Sequence, residues 1–454
     1  MSAVNVIPRD PAWRLGRMQE EPSLGALNGS VAVQSGGSWL RRLMGFVGPG
    51  YMVAVGYMDP GNWATAIAGG AKYGYSLLTV VALSSLVAML LQWIAARVGV
   101  VTGRDLAQLC RERFPRRVTL GLWVASEIAI IACDVAEVVG SAVALQLLFH
   151  VKLWVGVLIA AIVTIVMLAV QRYGQRTMEA MVAGLILMVA LCFVAQLAMA
   201  QPEWAAVLGG MAPSADLVRD AGMLWLAAGI VGATVMPHNL YLHSSLVRRF
   251  TPPPGTRTAR RRTFVEVLGG MNLDTFGSLG FAFLINAALL ILAASVFHAN
   301  GLTDVEDLAD AHRLLAPLLH SDLASLLFAV ALLACGLNST LTGTLAGQAV
   351  MEGFLDLKMS RMRRALLTRA VAIVPALAAV WVFGEHGSAS LLVASQVVLS
   401  LTLPLAVVPL ILFGADRRLM GAWRVRGVPL VLAAASALLI ILLNGALLWQ
   451  TALA

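Results

Sequence analysis

Charged residues are scarce in this chain: 12% of its 454 residues are Asp, Glu, Lys or Arg, whereas 59% are hydrophobic. A soluble domain carries about a quarter charged residues. A single water-soluble core also stops growing beyond roughly 250–300 residues, so it could not bury this much apolar side chain. The composition therefore excludes an ordinary soluble protein and predicts that lipid surrounds most of the surface.

Cysteine is rare as well, and the four cysteines are far apart in the chain (Cys110, Cys133, Cys192 and Cys335). No Cys-x-x-Cys pair or Cys/His spacing occurs, which argues against a structural zinc site. Three of the four lie inside apolar runs. We therefore expect them to be small buried hydrophobic side chains.

Eleven apolar segments follow a polar amino-terminal stretch. That stretch, residues 1–43, lacks a compact apolar region ending in a cleavage site, so we predict a mobile cytoplasmic tail and not a signal peptide. Each later segment is near or above the ~20 residues that a membrane-spanning helix needs. The predicted spans 1 to 11 are 44–68, 75–100, 118–149, 152–170, 178–200, 221–247, 267–297, 314–353, 364–384, 387–413 and 426–450.

Lys and Arg concentrate in alternate connections between these spans. This asymmetry predicts the cytoplasmic side, which places the amino terminus inside and, with an odd number of spans, the carboxyl terminus outside. The same clustering in short connections accounts for the net charge of +8 without nucleic-acid binding. The basic connections include Arg104, Arg111, Arg113, Arg116 and Arg117, and then Arg248, Arg249, Arg257 and Arg260 to Arg262.

Spans 1 and 6 each carry a proline beside polar residues near the middle, at Asp59 to Asn62 and at Met236 to His238. Proline removes a backbone donor and clashes with the preceding turn, so both helices should unwind there. Unwound backbone at membrane depth is tolerated where it lines a cavity or is buried in protein. Each break lies in the first helix of a five-helix block, and the two blocks cover residues 44–200 and 221–413. Because each block has an odd number of helices, the second block is inverted relative to the first. Residues 426–454 form the last helix and the carboxyl terminus. Paired breaks of this kind indicate a transporter's substrate site.

Asp59 places an ionisable group at mid-membrane, at a cost of at least ~2.5–3.5 kcal/mol, which favours a functional role. A structural pair with a buried Arg is the alternative, although spans 1 and 6 have no basic residue near this level. Asn62 adds an amide oxygen and Met236 a thioether, while unwinding frees backbone carbonyls, with Gly56 and Ala233 the natural candidates. Such a mixed set favours a transition metal over Mg²⁺ or Ca²⁺. By itself, a methionine in a membrane helix is more often a packing residue.

Span 3 carries three acids on one helical stripe: Glu127, Asp134 and Glu137. Span 9 contributes Arg369 about a turn from its cytoplasmic end. Chains of acids within membrane helices mark proton relays or ion pathways, and a structural ion-pair cluster joining spans 3 and 9 is the alternative. Because imidazole titrates near physiological pH, we expect His238 to handle protons and not to bind metal.

Asp-Pro-Gly-Asn in span 1 and Met-Pro-His in span 6 together resemble the signature of the Nramp (natural resistance-associated macrophage protein) family of divalent-metal transporters. The resemblance covers nearly the whole chain after the tail, in helix number, order and orientation. It implies an all-α LeuT-like fold and H⁺-coupled uptake of Mn²⁺, often also Fe²⁺. The metal is then the transported substrate, and no cofactor is expected.

The resemblance also implies a ligand set and a proton route. The proton would pass from the metal through the acids of span 3 to Arg369. Gln396, which alone would indicate an interhelical hydrogen bond, matches a further polar group near the metal. The thioether argues for a manganese- or iron-type member over carriers of Mg²⁺ or Al³⁺. The implied ligands are Asp59, Asn62 and Met236, with Gln396 nearby and a carbonyl of Gly56 or Ala233 depending on which side is open.

Two other classes of membrane protein fit the sequence less well. A Na⁺-coupled amino-acid transporter of the same architecture would have Gly- and Ser-rich breaks without an Asp and a Met facing each other. An intramembrane metalloenzyme would need a pattern such as His-Glu-x-x-His, which His238 and His243 do not provide. We therefore predict a non-enzymatic, multi-pass protein of the inner (plasma) membrane that contacts lipid, divalent metal and protons, without nucleic acid or an obligate protein partner. Gln92 and Asn286 are candidates to line the proton pathway, although single polar residues are more often packing contacts, and we expect no role for His243.

Overall fold

A computed structural model of the chain shows that all regular secondary structure in the described part is helical. Predicted span 9, with Arg369, lies outside the described residues except for a few positions, and so does the predicted tail. The described residues are 48–170, 175–214, 216–250, 257–357 and 387–453, together with 363, 367, 371, 373–378 and 381.

The main helices are numbered here in chain order. The first half contains α1 (Pro49–Ala54), α2 (Pro60–Tyr73), α3 (Leu78–Thr102), α4 (Leu106–Arg113), α5 (Arg116–Phe149), α6 (Leu153–Val170) and α7 (Gln175–Ala200). The second half contains α8 (Ala221–Val235), α9 (Pro237–Leu246), α10 (Arg257–Val296), α11 (Leu308–Leu319), α12 (Asp322–Leu355), α13 (Gly387–Ala415) and α14 (Val428–Leu453). Shorter helical turns cover Val55–Met58, Gly74–Leu77, Trp204–Gly209, Asp216–Arg219, Val247–Phe250, His298–Asn300, Arg417–Met420 and Gly421–Trp423.

Within the described residues, eight helical stretches are long and apolar enough to cross a membrane, and Leu153–Val166 is a shorter apolar helix. One stretch, Pro60–Thr102, joins the second half of predicted span 1 to span 2. The predicted start of span 8 at residue 314 was wrong. α11 is a separate helix that ends before His320, which has a left-handed backbone (φ 50°), and α12 then begins at Asp322. The hydropathy-based prediction joined α11 and α12 into one span because the apolar face of α11, which is buried against protein, looks like part of a membrane helix.

The broken helices lie inside the bundle. α1 and α2 pack along α10, while α8 packs along α13 and α9 along α3. α5 and α12 pack against each other and also contact α2 and α9. Large apolar side chains stay exposed on α6, α7 and α14, as expected for helices that face lipid; examples are Ile162, Val166, Leu191, Val194, Leu442 and Trp449.

The amino-terminal end of α1 is held by a side chain from α10. Asp274 accepts a hydrogen bond from Gly50 N at 2.6 Å and a longer one from Gly48 N at 3.4 Å. The first N–H groups of a helix have no partner within the helix, and a carboxylate both accepts from them and complements the helix dipole. A buried ion pair between Arg249 and Glu179, with Nη1 and Oε1 3.2 Å apart, lies beside Gly48. The amino-terminal end of α1 is therefore anchored to α10.

The carboxyl-terminal end of α2 and the amino-terminal end of α8 are joined by one exposed carboxylate. Asp220 caps α8 by accepting from Met223 N at 2.8 Å, and it also accepts from the hydroxyl of Tyr73 at the end of α2 at 2.9 Å. These two bonds hold the pKa of Asp220 below its usual value. The first broken helix is thus tied by a carboxylate at both ends, and the second at the start of α8.

Candidate metal site

The break in the first helix follows from its local sequence. α1 ends at Ala54, a 3-10 turn covers Val55–Met58, and Asp59 adopts an extended backbone (φ −67°, ψ 162°) before α2 begins at Pro60. Proline suits the first helical position because that position needs no N–H donor. Asp59 is the N-cap, and its Oδ1 accepts from Asn62 N at 2.9 Å. The amino-terminal dipole of α2 therefore points at the Asp59 carboxylate.

The break in the second broken helix is a single residue. α8 ends at Val235 and α9 begins at Pro237, so Met236 alone lies between them, with a left-handed φ of 40°. Such a backbone in a residue other than glycine costs of order 1–3 kcal/mol and occurs mostly at functional sites. The proline that follows favours the departure because it disfavours helical geometry in the residue before it.

Four of the predicted ligand residues meet at these breaks. Asn62 Nδ2 donates to Asp59 Oδ1 at 2.7 Å and to the Ala233 carbonyl at 3.1 Å, which joins the first break to the last turn of α8. Gln396 Nε2, from α13, lies 3.4 Å from Asp59 Oδ2. Asp59, Ala233 and Gln396 are fully buried, and Asn62 is 4% exposed.

Gly61 allows α13 to approach this closely. A Cβ at position 61 would collide with the side-chain amide of Gln396. The glycine of the Asp-Pro-Gly-Asn motif therefore leaves room for the amide that reaches Asp59.

Met236, the fifth predicted ligand, is also fully buried. It packs in a small apolar cluster with Ala129 and Cys133 of α5 and Leu399 of α13. Its sulfur accepts a hydrogen bond from Asn239 Nδ2 at 3.4 Å. Gly56, the sixth, is buried in the 3-10 turn ahead of Asp59.

The donor set suits a cation held by oxygen and sulfur. Within the described residues, no three His, Cys, Asp or Glu side chains cluster so as to hold a metal. The hydrogen bonds to Asp59 come from the neutral residues Asn62, Gly61 and Gln396, and no described Lys or Arg pairs with it. Gln396 Oε1 is buried and has no hydrogen-bond partner among the described residues, which costs about 1–3 kcal/mol. A cation bound by the carboxylate could also be bound by this oxygen once the Gln396 amide has rotated, because Nε2 now faces Asp59.

The three acids of α5 divide into two groups. Asp134 and Glu137 are buried and lie together against Gly343 of α12, where a Cβ would be 3.5 Å and 2.9 Å from their respective carboxylate oxygens. Glu127 is half-buried and accepts from Trp123 Nε1 at 3.0 Å. Two acids thus face the interface with α12, and Glu127 lies nearer the start of α5.

The other two residues of the predicted proton route differ in what the structure describes. His238 is buried in the first turn of α9, and its Nδ1 lacks a hydrogen-bond partner among the described residues. Arg369 lies outside the described residues, so the end of the predicted route is not described.

Gln92 and His243 belong to one buried hydrogen-bonded chain. Gln92 Nε2 donates to Tyr57 OH at 3.3 Å, and Gln92 Oε1 lies 3.0 Å from His243 Nδ1. Because a carbonyl oxygen only accepts, this nitrogen of His243 is the donor. The chain connects the first break to α9 through α3. Tyr57 lies two residues from Asp59, so its position beside the motif was the available signal.

Fold and site together define a multi-pass membrane transporter of the LeuT-like class, with a buried polar site between two broken helices. The fold matches that of Mhp1, a nucleobase-cation-symport-1 family transporter, at a TM-score of 0.58 and 15% identity, over 88% of this chain and 90% of that one. This likeness concerns the architecture alone.

Residues 50–450 match the family model described as natural resistance-associated macrophage protein-like, and the chain belongs to the Nramp family. It is 54% identical over 435 residues to the divalent metal cation transporter MntH of Xanthomonas campestris pv. campestris, covering 95% of this chain and 96% of that protein. A crystal structure of the manganese transporter of Eremococcus coleocola matches with a TM-score of 0.84 and 36% identity, over 93% and 90% of the two chains. The predicted family and all-helical LeuT-like fold are confirmed, and the protein is a transporter and not an enzyme.

Proposed function

We propose that this chain imports a divalent transition-metal cation, Mn²⁺ and also Fe²⁺, across the inner membrane, coupled to H⁺ by alternating access. The observation that carries the proposal is the convergence of the Asp59 carboxylate, the Asn62 and Gln396 amides and the Ala233 carbonyl in one buried place. The names of the relatives, divalent metal cation transporter and manganese transporter, support the same substrate class.

Cation binding would require the two amides to turn. Asn62 and Gln396 both direct an NH₂ group at Asp59. Rotating either amide by a half-turn exchanges its nitrogen for its oxygen, which changes a donor to the carboxylate into a ligand for a cation. Asp59 would then be neutralised by the dication instead of by a proton, and this exchange couples metal binding to proton release.

The thioether of Met236 accounts for the proposed selectivity. Mg²⁺ and Ca²⁺ are bound by oxygen ligands, whereas sulfur favours transition metals. The backbone strain at Met236 suggests that its position matters beyond packing. A Na⁺-coupled amino-acid transporter would need a site for a carboxylate group, where this chain has the Asp59 carboxylate itself.

We propose that the released proton leaves along α5 through Asp134 and Glu137, with His238 beside the break and Arg369 at the cytoplasmic end; Glu127 would accept it nearer the start of α5. The burial of Asp134 and Glu137 against α12 supports this route. An inside-negative membrane potential assists import by about 2.3 kcal/mol per charge per 100 mV. No resident cofactor takes part.

The alternation would come from rocking of the two broken helices, α1–α2 and α8–α9, each of which is the first helix of one inverted repeat (44–200 and 221–413). We propose the orientation predicted from the Lys and Arg distribution, with the amino terminus in the cytoplasm and the carboxyl terminus outside. The carboxylate caps support the proposal, because Asp274 and Asp220 hold the outer ends of the broken helices while the breaks lie between them.

Uptake of Mn²⁺ into reconstituted vesicles tests the proposed function. Asp59→Ala should abolish uptake, because the dication loses the one carboxylate at the break. Asp322→Ala is the matched control, since Asp322 is an exposed acid at the start of α12. Normal uptake by the Asp59 variant would refute the site assignment.

A further inference from the structure

Asn239 contacts the residue at the second break in two ways. It lies in the first turn of α9 and is fully buried. Its Nδ2 donates to Met236 Sδ at 3.4 Å, and its backbone N–H donates to the Met236 carbonyl at 3.2 Å. One residue therefore holds both the backbone and the sulfur of Met236.

The same amide also touches the first break. A Cβ at Gly56 would collide with Asn239 Nδ2 and would lie 3.3 Å from Oδ1. Asn239 thus lies between Gly56 and Met236, which are candidate ligands from the two opposite breaks. Its Oδ1 is buried without a hydrogen-bond partner among the described residues. A buried acceptor without a donor is costly, and the hydration water of a cation would supply one.

We propose that Asn239 is a positioning residue that determines metal specificity by orienting the thioether of Met236 toward a transition-metal dication. The inference rests on the proposed function, because it requires a cation at the break. A thioether sulfur has two lone pairs, so a hydrogen bond into one leaves the other for the metal. Methionine has three rotatable side-chain bonds, and a sulfur already held in place loses less conformational entropy when it binds.

The effect should depend on the metal. Cd²⁺ is a softer cation than Mn²⁺ and gains more from sulfur, so losing the orientation should weaken Cd²⁺ binding more. One hydrogen bond corresponds to a change of about two- to tenfold in affinity. We therefore expect the ratio of the Cd²⁺ to the Mn²⁺ dissociation constant to rise by that factor when Asn239 is replaced.

Asn338 of α12 provides a matched control. It is buried, its Nδ2 donates to the Val182 carbonyl of α7 at 3.3 Å, and its Oδ1 also lacks a partner among the described residues. The same amide chemistry thus occurs where the hydrogen bond goes to α7 and not to Met236.

The experiment is calorimetric titration of the full chain in detergent with Mn²⁺ alone and with Cd²⁺ alone. Asn239→Leu should raise the dissociation-constant ratio, Asn338→Leu should leave it unchanged, and Asn239→Leu should have no further effect on it in a Met236→Ala background. Asn239→Ala replaces the leucine variant if that variant does not fold.

An unchanged ratio in the Asn239 variant, or an equal rise in the Met236→Ala background, would overturn this inference while Mn²⁺ binding by the wild type still supports the proposed function. A wild-type chain that binds neither metal would refute both.

Discussion

The cap at the amino-terminal end of α1 leads to a quantitative prediction about how firmly this end, which we propose faces the cytoplasm, is held against α10. Asp274 is 7% exposed and accepts the 2.6 Å hydrogen bond from Gly50 N. Asp274→Asn removes the charge, and Asp274→Ala also leaves this N–H without its acceptor, at a cost of about 1–3 kcal/mol. We call α1 docked when its amino-terminal end contacts α10, and undocked when that contact is broken. If the substitution destabilises the docked state alone by this amount, the undocked population rises about 5- to 150-fold.

Cysteine accessibility measures that population. The four native cysteines are buried and unbridged and would be replaced by serine, and a single cysteine would be introduced at Val53, a fully buried position of α1. A membrane-impermeant thiol reagent applied from the cytoplasmic side should label this cysteine about 5- to 150-fold faster in the Asp274→Ala variant than with Asp274 intact, in proportion to the undocked population.

Thr275→Val is the matched control because Thr275 is the next residue of α10 and is also buried, and its hydroxyl has no hydrogen-bond partner among the described residues. It should leave the labelling rate unchanged. Equal rates with Asp274 intact and replaced would refute the reasoning, since they would mean that the cap does not hold α1 in place.

Three further predictions concern the metal, the proton and the packing. Met236→Ala should keep Mn²⁺ uptake but admit Ca²⁺ or Mg²⁺; an uptake panel in vesicles with unchanged selectivity would mean that the sulfur is not a ligand. Asp134→Asn should slow or uncouple H⁺ flux, measured with a pH-sensitive dye inside vesicles, and an unaltered pH response would leave the acids of α5 a structural cluster. Gly61→Ala should displace Gln396 and destabilise the protein by about 1–3 kcal/mol in detergent melts, whereas Gly121→Ala, which meets open space, should not; equal melts would contradict the close approach of α13.

Much of the fold was predictable because hydropathy and proline act locally. The apolar runs locate nearly every membrane helix that the structure describes, and the prolines at 60 and 237 begin α2 and α9 after each break. The prediction for residues 314–353 was wrong because length and hydropathy do not show whether an apolar face is buried by lipid or by protein. α11 buries Leu308, Ala311 and Leu315 against the bundle and ends before α12 begins.

The site was only partly predictable for the same physical reason. Asp59, Asn62 and Met236 lie in two short motifs whose composition points to a broken helix. Asn239 directly follows the second motif, yet its contact with the sulfur depends on the backbone geometry at Met236 and Pro237. The hydrogen bond from Gln92 to Tyr57 and the cap from Asp274 to Gly50 join residues of different helices, which no local pattern specifies.

By itself, the sequence determined that the chain crosses the membrane many times and breaks at Asp59 and at Met236, because apolar length and the chemistry of proline are properties of short segments. Only the tertiary structure decided that Gln396, 337 residues along the chain, reaches Asp59, and that Asn62 spans from it to Ala233. Those contacts depend on how closely whole helices approach one another, and small residues such as Gly61 permit that approach only once the bundle has packed.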